Sequence, residues 1–214
     1  ELVMDGRSQT GLVCCSSVDD YENDIIKKHE FTRPEKEKDR INHISITGAQ
    51  TGNVFLAYRN VEKIDVIIAG IKSTNKPVYD FIAADGITHR VWIAEEKTIV
   101  DEITSIFQTD VPCTYIADGH HRAASAAKVR KAAAAEMNTE DDRFLTTLFP
   151  ANELKILPYN RVIKDLNGLS KEEFISALQD DFTISTADAP VEPKELHEFG
   201  MYVGGQWYHL TSLE

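Results

Sequence analysis

The sequence predicts an α+β domain, a mixed sheet with flanking helices, followed by a small α/β C-terminal appendage. Three observations lead to it. Short apolar runs bounded by turn residues recur along the chain, as at Val54–Tyr58 and Arg143–Phe149. Helical spacing lies between some of them, as at Ile99, Ile103, Ile106 and Phe107. The order of these signals is not a clean strand–helix alternation, so mixed rather than purely parallel pairing is expected. A chain of 214 residues can bury one large core and support a small appendage without disulfides or metals.

Residues 1–5 and 11–17 read as two short β segments joined by the polar run Asp5-Gly6-Arg7-Ser8. A short helix is expected over Val18–Ile26, opened by Asp19-Asp20 at the positive end of its dipole. Pro34 suits the first position of the next helix, with Thr32 as its cap, running to about Ile46. On that helix Glu35, Glu37 and Asp39 read as face charges paired with Lys36, Lys38 and Arg40. Val54–Tyr58 is a strand and Val61–Ser73 a helix. Val78–Ala83 and His89–Glu95 form a hairpin about Asp85-Gly86. Ile99–Phe107 is a helix and Pro112–Ala117 a buried strand, which leads through Asp118-Gly119 into an Ala-rich helix over Ala123–Met137. Arg143–Phe149 and Leu154–Ile163 read as strands. Asn167-Gly168 breaks the chain, and Ser170 with Glu173 forms a capping box for a helix over Lys171–Gln179. Thr183–Thr186 and Met201–Leu210 read as further β structure. The boundary falls near 165–170, separating a domain at 1–165 from a segment at 166–214. The chain opens inside a strand, and Leu213-Glu214 resembles a cloning remnant, so a fragment of a longer chain is expected.

Charge narrows the partners. With 23 basic and 35 acidic side chains the net charge is −12, and the isoelectric point is near 5.0. Such a surface repels nucleic-acid phosphates, so nucleic acid is not an expected partner. Cys14, Cys15 and Cys113 are odd in number and lack Cys-x-x-Cys spacing, which argues for a reducing, cytoplasmic setting and gives no zinc signature. No apolar run approaches the ~20 residues of a membrane span. Nothing fixes the oligomeric state.

The run from Tyr115 to Ala124 carries the strongest chemical signal. A strand ends, Asp118-Gly119 turns the chain, and a helix begins. Its first N–H groups lack helical partners and lie at the positive end of the dipole, a ready anion site. Gly119 permits close backbone approach. His120, His121 and Arg122 add donors, and an arginine suits bidentate phosphate contact. Asp118 is placed to assist a metal ion, orient a histidine, or simply cap the helix. Two plainer readings stand beside the anion site: a capped turn with surface histidines, and a metal site. Adjacent helical histidines point about 100° apart and no third ligand stands at suitable spacing, so no metal ligand is assigned. A second constellation is His29-Glu30 with Thr32, Arg33 and Glu35. Glu30 is a candidate general base, or else a solvated surface carboxylate. Thr51-Gly52-Asn53 precedes a strand and either lines a site or only turns. Arg161, amid apolar residues, either joins an ion pair or reaches an anion.

Four blocks together resemble a known family: Lys28-His29-Glu30-x-Thr32-Arg33-Pro34-Glu35-Lys36, Thr51-Gly52, Tyr115-Ile116-Ala117-Asp118-Gly119-His120-His121-Arg122, and Leu157-Pro158-Tyr159-Asn160-Arg161. In this order, over roughly residues 1–165, they look like the prokaryotic family catalogued as domain of unknown function 1015, often labelled SpoOJ/ParB-like. The Asp-Gly-His-His-Arg turn also resembles the phosphate-binding signature of the ParB/sulfiredoxin-like superfamily, which includes a DNA-partitioning CTPase, an ATP-using sulfinic-acid reductase and free-serine kinases.

The resemblance implies a ParB/sulfiredoxin-like core that binds ATP or ADP with Mg²⁺ and a small-molecule substrate. It implies Gly119, His120, His121 and Arg122, with Thr51 and Arg161, as phosphate or nucleotide contacts. Glu30 would be the base, and Asp118 would assist Mg²⁺ or the acceptor. The reductase needs a cysteine inside this turn, and none is present. The partition protein carries a downstream helical DNA-binding domain, whereas residues 166–214 are short, acidic and partly β. The expectation is therefore a serine-kinase-like phosphotransferase, with a non-catalytic nucleotide- or phosphometabolite-binding module as the alternative.

Overall fold

The computed structural model describes residues 1–133 and 142–213. The expected continuation of the Ala-rich helix to Met137 therefore falls outside the described residues beyond Ala133. The chain forms two compact units, Glu1–Lys155 and Ile156–Glu214. The sequence alone places the break about ten residues later, at the Asn167-Gly168 turn.

In the first unit, β1 (Leu2–Met4) and β2 (Arg7–Gln9) form a tight hairpin about Asp5-Gly6. Arg7 and Ser8, expected in the turn joining segments 1–5 and 11–17, are instead part of β2. β3 (Leu12–Ser17) enters a different sheet. Helix α1 (Val18–Glu22) is capped by Ser17 and stops earlier than expected. Asp24 takes a positive φ, and β-branched Ile26 begins β4 (Ile26–Lys27) instead of continuing the helix. Helix α2 (Pro34–Thr47) has Pro34 in its first turn, but its cap residue is Arg33 and no side chain caps it. Thr32 bonds to the Glu37 carboxylate instead.

Strand β5 (Val54–Tyr58) buries Val54, Leu56 and Tyr58 on one face, as period-two alternation requires. Helix α3 (Glu62–Thr74) follows, then the hairpin β6 (Tyr79–Ile82) and β7 (Thr88–Val91) about Asp85-Gly86. Helix α4 (Lys97–Asp110) buries Ile103 and Ile106. Strand β8 (Thr114–Asp118), helix α5 (His120–Ala133) and strand β9 (Arg143–Pro150) complete the unit.

Two sheets result among the described residues of this unit. One is antiparallel, in the order β2-β1-β7-β6. The other is mixed, in the order β3-β9-β5-β8-β4, with β9/β5 and β8/β4 parallel and β3/β9 and β5/β8 antiparallel. The core sits on this mixed sheet, where Val18, Leu56, Tyr58, Ile64, Ile116 and Phe144 are buried. Helix α5 meets it with small side chains: Ala123 and Ser125 are fully enclosed and Ala126 nearly so. The absence of bulk lets α5 lie close to the sheet and to α2.

The expected strand over Leu154–Ile163 does not form. A 3₁₀ turn at Ala151–Glu153 is followed by a stretch without regular structure. Pro158 lacks the N–H a ladder needs, and Ile156, Tyr159 and Val162 stay exposed. The second unit then forms helix α6 (Lys171–Leu178), opened by the full Ser170/Glu173 capping box. Strands β10 (Phe182–Ala187), β11 (Glu198–Val203) and β12 (Gln206–Ser212) form an antiparallel sheet in the order β10-β12-β11. The β structure expected over Met201–Leu210 falls within the β11–β12 hairpin, which turns at Gly204-Gly205.

The architecture is α+β, with a mixed sheet and six α-helices among the described residues. No described helix is long and apolar enough to cross a membrane.

Candidate functional site

Sheet topology explains why three separated motifs meet. Strands β4 and β8 are parallel neighbours, so the segments after them, 28–33 and 118–122, leave the sheet at the same end. Strand β5 runs antiparallel to β8, with Phe55 opposite Asp118, so Thr51-Gly52 enters at that end too. Helix α2 closes the space. The result is a cavity of about 660 Å³ lined by Glu30, Thr51, Gly52 and Asp118 to Arg122, with α2 contributing its Glu35–Ile44 face.

The turn is built on Gly119, whose φ of +99° disfavours any L side chain. Its carbonyl accepts the first helical bond from Ala123 N–H at 3.0 Å, so Gly119 is the cap of α5. Asp118 does not cap the helix. Its Oδ2 accepts from Arg122 Nη2 at 2.6 Å. Two glycines pack this guanidinium. A Cβ on Gly119 would lie 2.8 Å from Arg122 Nε, and one on Gly52 would lie 3.3 Å from Arg122 Cδ and Nη1. Gly52 is therefore more than a turn residue. Arg122 Nε is buried with no hydrogen-bond partner, a donor left over that an anion would satisfy.

The two histidines face the 28–33 segment. His121 Nε2 accepts from Arg33 N–H at 3.0 Å, and His120 Nε2 accepts from His29 N–H at 3.4 Å. His120 is only 4% exposed, and its Nδ1 lies 3.5 Å from Glu30 Oε2. Burial, and His29 beside it, hold the His120 pKa below the ordinary histidine value despite the nearby carboxylates, so the ring is neutral near pH 7. The Glu30 side chain is 61% exposed at the mouth. A further group is assembled across the fold: a ligand atom each from His29, Glu30 and His120 lies within 4.8 Å of the other two. The third donor that spacing around His120-His121 did not supply comes from the other segment, and His121 is not part of the group.

Other residues differ from expectation or were missed. Glu37 is 5% exposed, and its carboxylate bonds Lys128 of α5 and Thr32 rather than a neighbour on its own helix. These partners, Lys128 foremost, hold its pKa below the usual carboxylate range. Lys36 and Arg40, exposed on α2 as expected of face charges, also line the cavity, together with His43. The signal was available: Glu35, Asp39 and His43, and likewise Lys36 and Arg40, recur at four-residue spacing on one side of α2. Arg161 belongs to the second unit, where its guanidinium lies 3.8 Å over the Tyr159 ring.

The family model described as "Protein of unknown function (DUF1015)" matches residues 1–214. The chain belongs to the DUF1015 family. The match runs through both units, beyond the roughly 1–165 over which the four blocks carry the resemblance. Searches of curated proteins and of solved structures each give no match. In this DUF1015 chain the cavity gathers the turn, Glu30, Thr51-Gly52 and one face of α2.

Proposed function

We propose that this chain is a nucleotide-dependent phosphotransferase acting on a small hydroxylated metabolite, with free serine the leading acceptor, on a core of ParB/sulfiredoxin-like type. One observation carries the reading. An anion-type turn with a buried, unpartnered Arg122 Nε and an accessible carboxylate, Glu30, line the same cavity. The likeness of the Asp-Gly-His-His-Arg turn to free-serine kinases supports ATP or ADP as the donor.

In this reading the first-turn N–H groups of α5 and Arg122 bind the transferred phosphoryl group, with Thr51 alongside. The imidazoles of His120 and His121 position the segment that carries Glu30. Mg²⁺ bound with the nucleotide would neutralise phosphate charge, and Asp118 is the carboxylate in the turn suited to it. The acceptor hydroxyl attacks the terminal phosphorus, and Glu30 takes its proton. The bond from phosphorus to the bridging oxygen breaks, and the shortened nucleotide leaves with that oxygen. Phosphoryl transfer depends mainly on positioning and charge neutralisation, so one base and one anion site suffice.

The test is incubation with ATP or ADP, Mg²⁺ and a panel of hydroxylated amino acids, followed by mass spectrometry. Phosphoserine or a related phosphoester is expected. Intact nucleotide binding with no product from any acceptor refutes the transferase and leaves a binding module.

A further inference from the structure

We propose that His29, Glu30 and His120 form a binding site for a divalent transition-metal ion of the zinc type. The inference goes beyond the phosphotransfer reading, and either can fail alone. It starts from a distance. His120 Nδ1 and Glu30 Oε2 stand 3.5 Å apart, outside the range of about 2.7–3.2 Å for a sound N–H···O bond. Two donors at 2.0–2.1 Å from one tetrahedral zinc stand about 3.3–3.4 Å apart. The pair is spaced for a shared ion rather than for each other.

His29 adds the third donor. Its ring lies 4.5 Å from the His120 ring at 85°, edge to face, and one ligand atom from each of the three residues falls within a 4.8 Å span. Two imidazoles and one carboxylate favour zinc, cobalt or iron over Mg²⁺ or Ca²⁺, which prefer all-oxygen shells. Three protein ligands leave a fourth coordination position free, as in sites that bind water or substrate. Ligation through His120 Nδ1 moves that ring's proton to Nε2. It gives up the contact from His29 N–H, which at 3.4 Å is already long. The buried His120 anchors the group, while His29 and Glu30 are exposed and reach the ion from solvent. A monodentate carboxylate keeps its second oxygen, so ligation by Glu30 and proton acceptance by Glu30 are compatible.

The experiment uses the whole chain, stripped with chelator and titrated with Zn²⁺ by calorimetry, with Co²⁺ followed by visible absorption and Mg²⁺ as comparison. One Zn²⁺ per chain is expected, with an intense cobalt band marking four-coordinate geometry and no comparable Mg²⁺ binding. His29→Ala and Glu30→Gln, both at exposed positions, should each weaken Zn²⁺ at least about tenfold while retaining the wild-type circular dichroism. His120→Ala should abolish binding, and the two exposed variants decide the matter should it not fold. No Zn²⁺ binding, or equal binding by wild type, His29→Ala and Glu30→Gln, overturns the proposal. The second result would place the ion elsewhere, for instance on the free thiols. Metal binding is read without any phosphoryl acceptor, so failure of the kinase reading leaves this test intact.

Discussion

Gly119 lies so close to the guanidinium of Arg122 that a Cβ at position 119 would stand 2.8 Å from Nε. The same residue holds a φ of +99°. Turn conformation and arginine placement are thus one requirement.

Gly119→Ala should therefore act twice. Backbone strain of this kind costs roughly 1–3 kcal/mol, and the new methyl group displaces Arg122. Urea denaturation should show the loss of stability, and calorimetry a loss of ATP affinity. An alanine variant with unchanged stability and unchanged ATP binding would remove the glycine argument.

Arg122→Lys is not a conservative change here. Lysine keeps the charge but lacks the planar fork and the Nε donor. It should retain the fold and still bind nucleotide well below the wild-type level, as measured by the same titration.

Glu30→Gln should bind nucleotide as tightly as the wild type yet lower kcat by about 10²–10⁴-fold, the usual contribution of a positioned general base. Steady-state assay of phosphoester formation checks it. Unchanged kcat would assign the proton transfer elsewhere.

Glu37 sets a pH dependence of stability. Its carboxyl, bound to Lys128 and Thr32, has a lowered pKa in the folded chain. It takes up a proton less readily folded than unfolded, so its stabilisation is complete above the unfolded value of about 4.3 and is lost as pH falls through the folded value. Glu37→Gln should lose about 1–3 kcal/mol at pH 7, the range for hydrogen bonds to a buried charged group. The gap between variant and wild type should close below pH 4. Urea midpoints from pH 3 to 7 measure it, and a gap constant with pH would contradict the assignment.

The reach of the sequence follows from where each signal lives. The turn at 115–124 was legible because its strand end, Asp-Gly pair and Ala-rich helix are local. The Ser170/Glu173 capping box was legible for the same reason. Glu37 was not, because its partner Lys128 is 91 residues away, and a glutamate among charged neighbours on a helix looks solvated until its face is known. The grouping of His29 and His120, also 91 residues apart, depends on β4 running parallel to β8. A two-residue strand such as Ile26–Lys27 leaves almost no pattern to read. At Leu154–Ile163 apolar content imitated a strand, and Pro158 was the contrary signal.

Binding of nucleotide phosphate by the Asp118–Arg122 turn is decided by calorimetric titration of ATP and of ADP with Mg²⁺ into wild type and Arg122→Ala. One nucleotide per wild-type chain is expected, with at least about tenfold weaker binding by the variant, the loss from about 1.4 kcal/mol of charge-assisted hydrogen bonding, and unchanged circular dichroism. Equal affinity of Arg122→Ala and wild type for both nucleotides would contradict it.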